Sequence, residues 1–347
     1  LTEFLLGYLK KNDWQKSECK MIQDHILSTV GNTPMIRIRI EKFKNIRLFA
    51  KAEFFNPTGS VKDRAASYVI KKLLENKEID KNTTMIESSS GNFGIALSAY
   101  CKYNGLKFIA VVDPCISPMN EMLIRAFGAL VIKVTTPDEN GGYLLTRIRK
   151  VKQLCDEIEN SYWVNQYGNP YNAEAYFHSL GGEICDEMEQ LDYIFLGISS
   201  GGTITGVSRR IKEKFPGAKV IAVDIIGSVI FGHPPQKRYI PGIGSSMVPD
   251  ILNHSKIDDV MMMDEVATIK ACHEMLEKYN IFAGGSSGSA YAAIQKYFTE
   301  HPVDKPVNVV TVFPDRGERY YSTVYDEKWC LKFIENKSEI RCGINGD

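Results

Sequence analysis

The sequence predicts an α/β protein of two domains, each a parallel sheet covered by helices. Three observations carry that prediction. Short apolar, β-branched runs alternate with longer segments whose apolar residues recur near every 3.6 positions, the pattern of strands and crossover helices. Gly- and Ser-rich stretches fall where a strand-like run ends and a helical one begins, which is where open α/β sheets place ligands. Finally, 347 residues, 44% hydrophobic and 24% charged, suffice for one large core or two moderate ones, and two closely packed domains are expected.

Taken in order, residues 48–55 read as a strand and 65–74 as a helix. A strand at 84–87 leads into a helix at 92–103. Strands at 106–113 and 130–135 alternate with helices at 119–127 and 142–158. Beyond them come a strand at 162–166, a helix around 173–188, a strand at 193–198, a helix at 203–214 and a strand at 220–225. The pattern ends with a strand at 259–263, helices near 266–279 and 287–299, and a strand at 307–313. Alternation of this kind favours parallel sheets with both faces covered. The Gly/Pro-rich stretch 227–244 is too long for a simple connector and is expected to line a site. No low-complexity tract or repeat period interrupts the chain.

Charge and cysteine content exclude several classes of function. Lys+Arg and Asp+Glu both number 42, so the balanced charge offers no electrostatic case for nucleic acid or an anionic membrane. Small neutral or anionic metabolites fit better. Eight cysteines without C-x-x-C spacing point to reduced thiols in a cytoplasmic protein rather than to disulfides or zinc. The six histidines are isolated, so no metal site is expected. No apolar span is long enough for a membrane helix, and residues 1–20 lack the apolar core of a signal peptide. That arm carries Phe4, Leu5, Tyr8 and Leu9, which could pack on the body or on a second subunit.

Four loops carry the chemistry. Asn56-Pro57-Thr58-Gly59-Ser60-Val61-Lys62-Asp63-Arg64 lies between a strand and a helix, with Lys62 at the turn. The positive end of a helix disfavours an ammonium and favours a neutral amine or imine, so Lys62 is a candidate for Schiff-base chemistry. Taken alone it reads as an ordinary solvated lysine, and the other loops are what tip the balance. Ser88-Ser89-Ser90-Gly91-Asn92-Phe93-Gly94 offers hydroxyls, N–H groups and a helix N-terminus suited to an α-carboxylate. Ser199-Ser200-Gly201-Gly202-Thr203 is small enough for several N–H groups to converge on one phosphate, and it lacks the lysine of a nucleotide-binding P-loop. Gly284-Gly285-Ser286-Ser287-Gly288 is a further strand-to-helix turn. Each loop alone could be a tight turn and nothing more. Together, a lysine, a phosphate cradle and a carboxylate pocket are the inventory for pyridoxal phosphate acting on an amino acid.

These motifs, with Asn165-Gln166, stand in the order and spacing of the cysteine synthase family of pyridoxal-phosphate enzymes, which the chain resembles from about residue 26 to 323. The resemblance implies the tryptophan-synthase-β-like fold (fold type II), with the cofactor between two α/β domains and a homodimeric assembly. The smaller domain is expected at 40–165, with the lysine and the Ser-Ser-Gly-Asn loop. The larger is expected at 21–39 plus 166–330, with the phosphate loop, and 1–20 form an arm. By resemblance Lys62 carries the Schiff base, Asn92 bonds the cofactor's 3′-oxygen, Ser199, Ser200, Gly201, Gly202 and Thr203 hold its phosphate, and Ser286 faces the pyridine nitrogen. Ser89, Ser90 and Gln166 match the substrate-carboxylate positions. A neutral hydroxyl at the ring nitrogen delocalises a carbanion less than a carboxylate would, which favours loss of a β-substituent. Lys62, its pKa lowered by burial and a neighbouring cationic or dipolar field, would act as base at Cα. The implied reaction is a two-step β-replacement through an α-aminoacrylate, with ping-pong kinetics.

Departures from ordinary cysteine synthases narrow the substrates. Gln166-Tyr167 stands where those enzymes carry Gln-Phe. The segment 138–147 has no close counterpart in them, and Asp113-Pro114, the 227–232 stretch and Pro314-Asp315-Arg316-Gly317-Glu318-Arg319 are also distinctive. These features resemble a siderophore-pathway branch of the family that takes O-phospho-L-serine, expels phosphate and adds the amine of L-glutamate. Its product, N-(2-amino-2-carboxyethyl)-L-glutamate, is a precursor of 2,3-diaminopropionate. Arg147, Tyr167 and Ser200 match that branch's second-substrate pocket. Tyr143 and Arg147 would share a helix face, and an arginine fork suits carboxylate or phosphate. Against this, Arg147 could be a solvated helix arginine beside Arg149, Lys150 and Lys152, and Tyr167 a buried aromatic. The Ser-Ser-Gly-Gly-Thr loop is closer to the cysteine synthase form. The alternatives are an O-acetylserine sulfhydrylase, a cysteine lyase releasing sulfide, or a silent binding protein on the same scaffold, the last disfavoured by the presence of Lys62.

Overall fold

The computed structural model describes residues 22–138 and 142–344. The expected arm at 1–20 lies outside the described residues, as do 139–141 of the distinctive segment. In chain order the elements are β1 (Met35–Ile38), β2 (Ile46–Ala52), α1 (Lys62–Glu75), β3 (Thr84–Ser88), α2 (Asn92–Tyr103), β4 (Lys107–Val112), α3 (Pro118–Ala126), β5 (Leu130–Lys133) and α4 (Leu144–Glu157). The second half continues with β6 (Ser161–Trp163), α5 (Pro170–His178), α6 (Leu180–Glu187), β7 (Tyr193–Gly197), α7 (Gly202–Lys214), β8 (Lys219–Ile225), β9 (Asp259–Met263), α8 (Glu265–Tyr279), α9 (Gly285–Glu300), β10 (Val307–Phe313) and α10 (Glu327–Ile344).

The strands form two sheets, one ordered β1-β2-β10-β7-β8-β9 and the other β5-β4-β3-β6. All pairings are parallel except β1 with β2. The α/β class expected from alternation is therefore observed. Its physical signature is the near-continuous burial of β3, β8 and β10, because crossover helices cover both faces and leave no solvated side for a polar alternation. Strand β2, inside the expected 40–165 segment, pairs in register with β10 (Leu48 opposite Val309, Ala50 opposite Thr311). The smaller sheet thus draws all its strands from residues 84–163, and β2 belongs to the larger one.

Several expected boundaries shift for local reasons. The strand expected at 48–55 ends at Ala52, and Glu53–Phe55 turn into a short 3-10 helix. The single helix expected around 173–188 is two helices, α5 and α6, that break at Ser179 (φ −101°, ψ −84°). Ser179 Oγ donates to the Ala175 carbonyl at 2.5 Å, the side-chain competition that disfavours serine inside a helix. The start of α4 moves from 142 to Leu144, where the Asp138 carboxylate accepts from the N–H groups of Gly142 at 3.0 Å and Leu145 at 3.1 Å. Helix α10 and strand β1 were not expected; β1 is a four-residue edge strand with only Ile38 buried, too short for its alternation to register.

A buried ionic clamp fixes α1 to the larger sheet. Arg64 donates from Nε to Glu53 Oε2 at 2.7 Å and from Nη1 to Glu183 Oε1 at 2.6 Å, while Lys51 Nζ lies 2.9 Å from Glu183 Oε2. Burial alone would push the Glu183 carboxyl up, but Arg64 and Lys51 hold it down to about 2. Removing one member of such a set leaves an uncompensated buried charge, at a cost of roughly 3–5 kcal/mol. The clamp sits two residues from Lys62. Among the described residues no helix is long and apolar enough to cross a membrane, and no group of His, Cys, Asp or Glu is arranged to hold a metal ion.

Candidate active site

A single cleft of about 1290 Å³ gathers the four loops expected from sequence. It exceeds the roughly 300–1,000 Å³ that houses one ligand, which leaves room for a cofactor and an amino acid together. Of the expected residues, Lys62, Ser89, Ser90, Asn92, Arg147, Gln166, Tyr167, Ser199, Ser200, Gly201, Thr203 and Ser286 all line it; Gly202 lies just behind. The 227–244 stretch closes one side through Val229 and the run 237–244, as its length suggested.

Lys62 is the first residue of α1, and the turn before it is held by the neighbouring carboxylate. Asp63 accepts from Thr58 N at 3.0 Å, Thr58 Oγ1 at 2.8 Å and Ser60 N at 3.3 Å. Burial raises the Asp63 carboxyl to about 6, with those hydrogen bonds opposing. The Lys62 ammonium is pushed down to about 8 by burial, and the Asp315 carboxylate opposes that fall. Burial acts as expected, but the neighbouring charge is an anion that pulls the other way rather than the expected cation.

The carboxylate loop runs from β3 into α2. Asn92 Nδ2 donates to Asp315 Oδ2 at 2.7 Å, Ser89 Oγ accepts from Gly94 N at 2.9 Å, and Gln166 Nε2 donates to the Ser88 carbonyl at 3.2 Å. Ser90 Oγ donates to Asp113 Oδ2 at 3.0 Å and accepts from Arg147 Nη1 at 2.8 Å. Arg147 also pairs with Asp113 Oδ2 at 3.1 Å, the two side chains 13% and 10% exposed. Arg147 is thus no solvated helix arginine, and its Nε is buried without a partner. Tyr143, the residue that precedes α4, lines the same cleft one turn before Arg147. The Tyr167 hydroxyl is raised by burial, with Arg147 and Arg238 opposing.

On the other wall, Ser199–Thr203 enters α7. Gly201 adopts φ +84°, a left-handed conformation that glycine reaches without cost. A Cβ on Gly202 would stand 2.4 Å from Asn172 Oδ1, so only glycine lets the loop close on α5. Ser200 Oγ and Asn172 Oδ1 are buried and lack partners. An orphaned hydroxyl at a helix N-terminus whose N–H groups converge is a cradle for an anion. Ser286, 4% exposed, stands at the start of α9. The residues present therefore fit a phosphorylated aldehyde cofactor, which Lys62 would engage at the carbonyl carbon, Ser199–Thr203 at the phosphate, Asn92 at the 3′-oxygen and Ser286 at the ring nitrogen.

Several residues of the site escaped the sequence reading. Asp113 and Asp315 stood in distinctive stretches but had no assigned role. Arg238 lay in the long loop flagged as site-lining, with nothing in its neighbours to single it out. Glu87, wholly buried under the carboxylate loop, accepts from Ser88 N at 2.8 Å and Gln166 N at 3.2 Å. Burial raises its carboxyl to about 7. Arg319 donates to the Thr58 carbonyl and so ties the 314–323 segment to the lysine loop.

A parallel α/β fold with a lysine at one helix start and a glycine-rich anion cradle at another defines a class of cofactor enzyme, and sequence comparison settles which. The pattern of the family described as pyridoxal-phosphate dependent enzyme matches residues 26–315, and the chain belongs to that family. It is 43% identical over 321 residues to N-(2-amino-2-carboxyethyl)-L-glutamate synthase of Cupriavidus metallidurans, covering 92% of this chain and 94% of the relative. The protein of the same name from Ralstonia nicotianae is 43% identical over 320 residues, with the same coverage. Among solved structures, the O-acetylserine dependent cystathionine beta-synthase of Helicobacter pylori superposes with a TM-score of 0.81 at 34% identity, covering 87% of this chain and 98% of that one. The protein is thus a pyridoxal-phosphate enzyme of the β-replacement type.

Proposed function

We propose that the enzyme replaces the phosphate of O-phospho-L-serine by the amine of L-glutamate, giving N-(2-amino-2-carboxyethyl)-L-glutamate and phosphate. The observation that carries this reading is Arg147, a largely buried guanidinium bonded to Ser90 of the carboxylate loop. It accords with the name borne by relatives 43% identical to this chain. A buried guanidinium has reason to be there when the substrate brings a dianionic leaving group and the acceptor brings two carboxylates. Sulfide would need neither.

Pyridoxal phosphate supplies the electron sink that makes the α-proton acidic and the β-substituent expellable. The chain's own residues do the rest. Ser89, Ser90 and Gln166 receive the donor's α-carboxylate, exchanging their hydrogen bonds within the protein for bonds to substrate. Lys62 Nζ takes the proton from Cα. Burial lowers its pKa, which favours the neutral amine that a base at Cα must be once the lysine is released. Arg147, which by resemblance falls in the second-substrate pocket, is bonded to Ser90 of the loop that receives the donor, and the departing phosphate is therefore assigned to it, with Tyr167 closing the space beside it. Glutamate then delivers its amine to Cβ, and the proton held on Lys62 returns to Cα.

A homodimeric, cytoplasmic enzyme with two domains, one built on each sheet and the cleft between them, belongs to the same proposal. The second reading, O-acetylserine as donor and a sulfur nucleophile as acceptor, draws on the Helicobacter structure, whose name carries that donor. Rapid mixing of cofactor-loaded enzyme with O-phosphoserine alone tests the choice. The proposal expects one phosphate per active site and then a halt until glutamate is added. No phosphate burst, with acetate released from O-acetylserine instead, would decide for the second reading.

A further inference from the structure

Besides Arg147 the cleft is lined by Arg238 and Arg319, and the reaction as derived does not use Arg238. It comes from the 227–244 loop and lines the cleft together with Tyr167, whose hydroxyl feels the charge of both Arg147 and Arg238. Its Nη2 donates to Ser246 Oγ at 2.9 Å, whereas its Nη1 is buried without any hydrogen-bond partner. That nitrogen packs against Gly244, where a Cβ would stand 2.8 Å from it. The buried carboxylate that feels its charge, Asp224, binds Ile225 N through one oxygen and leaves the other unpartnered. No hydrogen bond joins the two groups. A buried guanidinium with a free donor costs free energy unless something anionic completes it.

Arg147 and Arg238 are therefore not equivalent. Arg147 is already neutralised by Asp113 and tied to Ser90, beside the loop that receives the donor's carboxylate. Arg238 is unfilled and approaches from the other sheet, across Tyr167. We propose that Arg238 is a specificity-determining residue for the acceptor, receiving the side-chain carboxylate of an acidic amino acid and so selecting a dicarboxylate over a neutral amine. This rests on the acceptor reading above and adds the group that recognises its second charge.

The test compares wild type with Arg238→Gln and Arg238→Lys, all cofactor-loaded. Calorimetric titration with glutarate and with butyrate reads recognition without turnover. Loss of one charge-assisted contact predicts about a tenfold or greater weakening of glutarate in Arg238→Gln, a much smaller change for butyrate, and partial recovery in Arg238→Lys. In turnover the KM for glutamate rises about tenfold or more while kcat changes far less. Equal weakening of both acids, or of phosphate release and acceptor addition alike, would mean that Arg238 merely props the loop against Asp224, and the assignment falls. Unchanged glutarate affinity overturns it as well. If wild type forms no C–N product from glutamate yet glutarate binding still depends on Arg238, the proposed function fails and the assignment of an anion to Arg238 stands.

Discussion

Replacing Arg147 by Met removes the guanidinium and keeps the length of the side chain. Two losses follow, and they can be separated. The contact to a departing phosphate is charge-assisted and worth roughly 1.5–3 kcal/mol, which predicts a fall of roughly 10- to 150-fold in phosphate release from O-phosphoserine. The second loss is structural. Asp113 Oδ2 is left with the Ser90 hydroxyl, at 3.0 Å, in place of its cationic partner. Breaking a buried pair costs roughly 3–5 kcal/mol, and the lower end applies because Ser90 still donates. The double variant Arg147→Met with Asp113→Asn removes the stranded charge, so stability should largely return while phosphate release stays slow. Stopped-flow phosphate detection and urea midpoints read the two effects. O-acetylserine, with a leaving group of lower charge, should lose markedly less than O-phosphoserine. Equal losses on both donors in both variants would refute the assignment of Arg147 to the leaving group and leave it as a support of the Ser90 loop.

Other expectations follow from the same geometry. Lys62→Ala should abolish replacement and the borohydride-fixed mass increment of one cofactor per chain; a retained increment would place the covalent attachment elsewhere. Glu87, with its carboxyl raised to about 7 from an ordinary 4.5, binds more protons folded than unfolded between those values. Stability should therefore decline as pH rises from about 4.5 through 7. Glu87→Gln should flatten that slope in thermal melts between pH 5 and 8, at the expense of one acceptor toward Ser88 or Gln166; an unchanged slope would remove Glu87 as its source. Gly202→Ala puts a methyl against Asn172 Oδ1 and should cost roughly 1–3 kcal/mol, seen as a lower denaturant midpoint and weaker cofactor retention. A variant as stable as wild type would show that the α5–α7 contact yields easily.

What sequence revealed and what it concealed divide along physical lines. Strand-to-helix alternation and the small-residue loops are local, so β8 and β10 and the turns around Lys62 and Gly201 were legible directly. The break at Ser179 lies in one residue's backbone dihedrals, which periodicity averages away. Strand β2 looked like part of the smaller unit because it adjoins the lysine loop in the chain; its pairing with β10, some 260 residues on, is visible only in three dimensions. The same holds for charge. Arg147 stood among Arg149, Lys150 and Lys152, and only Asp113 and Ser90, brought in from another loop, separate it from its solvated neighbours. The depressed pKa of Lys62 and its origin in burial were anticipated, but the opposing charge of Asp315 required the packed site.

The central claim is tested most directly by the product. Cofactor-loaded enzyme is given O-phospho-L-serine with nitrogen-15 L-glutamate, and the mixture is resolved by mass spectrometry with phosphate measured in parallel. The account predicts a single adduct that retains the labelled nitrogen in a new C–N bond, formed one for one with phosphate. Phosphate without labelled adduct, or cysteine formed from O-acetylserine and sulfide with glutamate untouched, would contradict it.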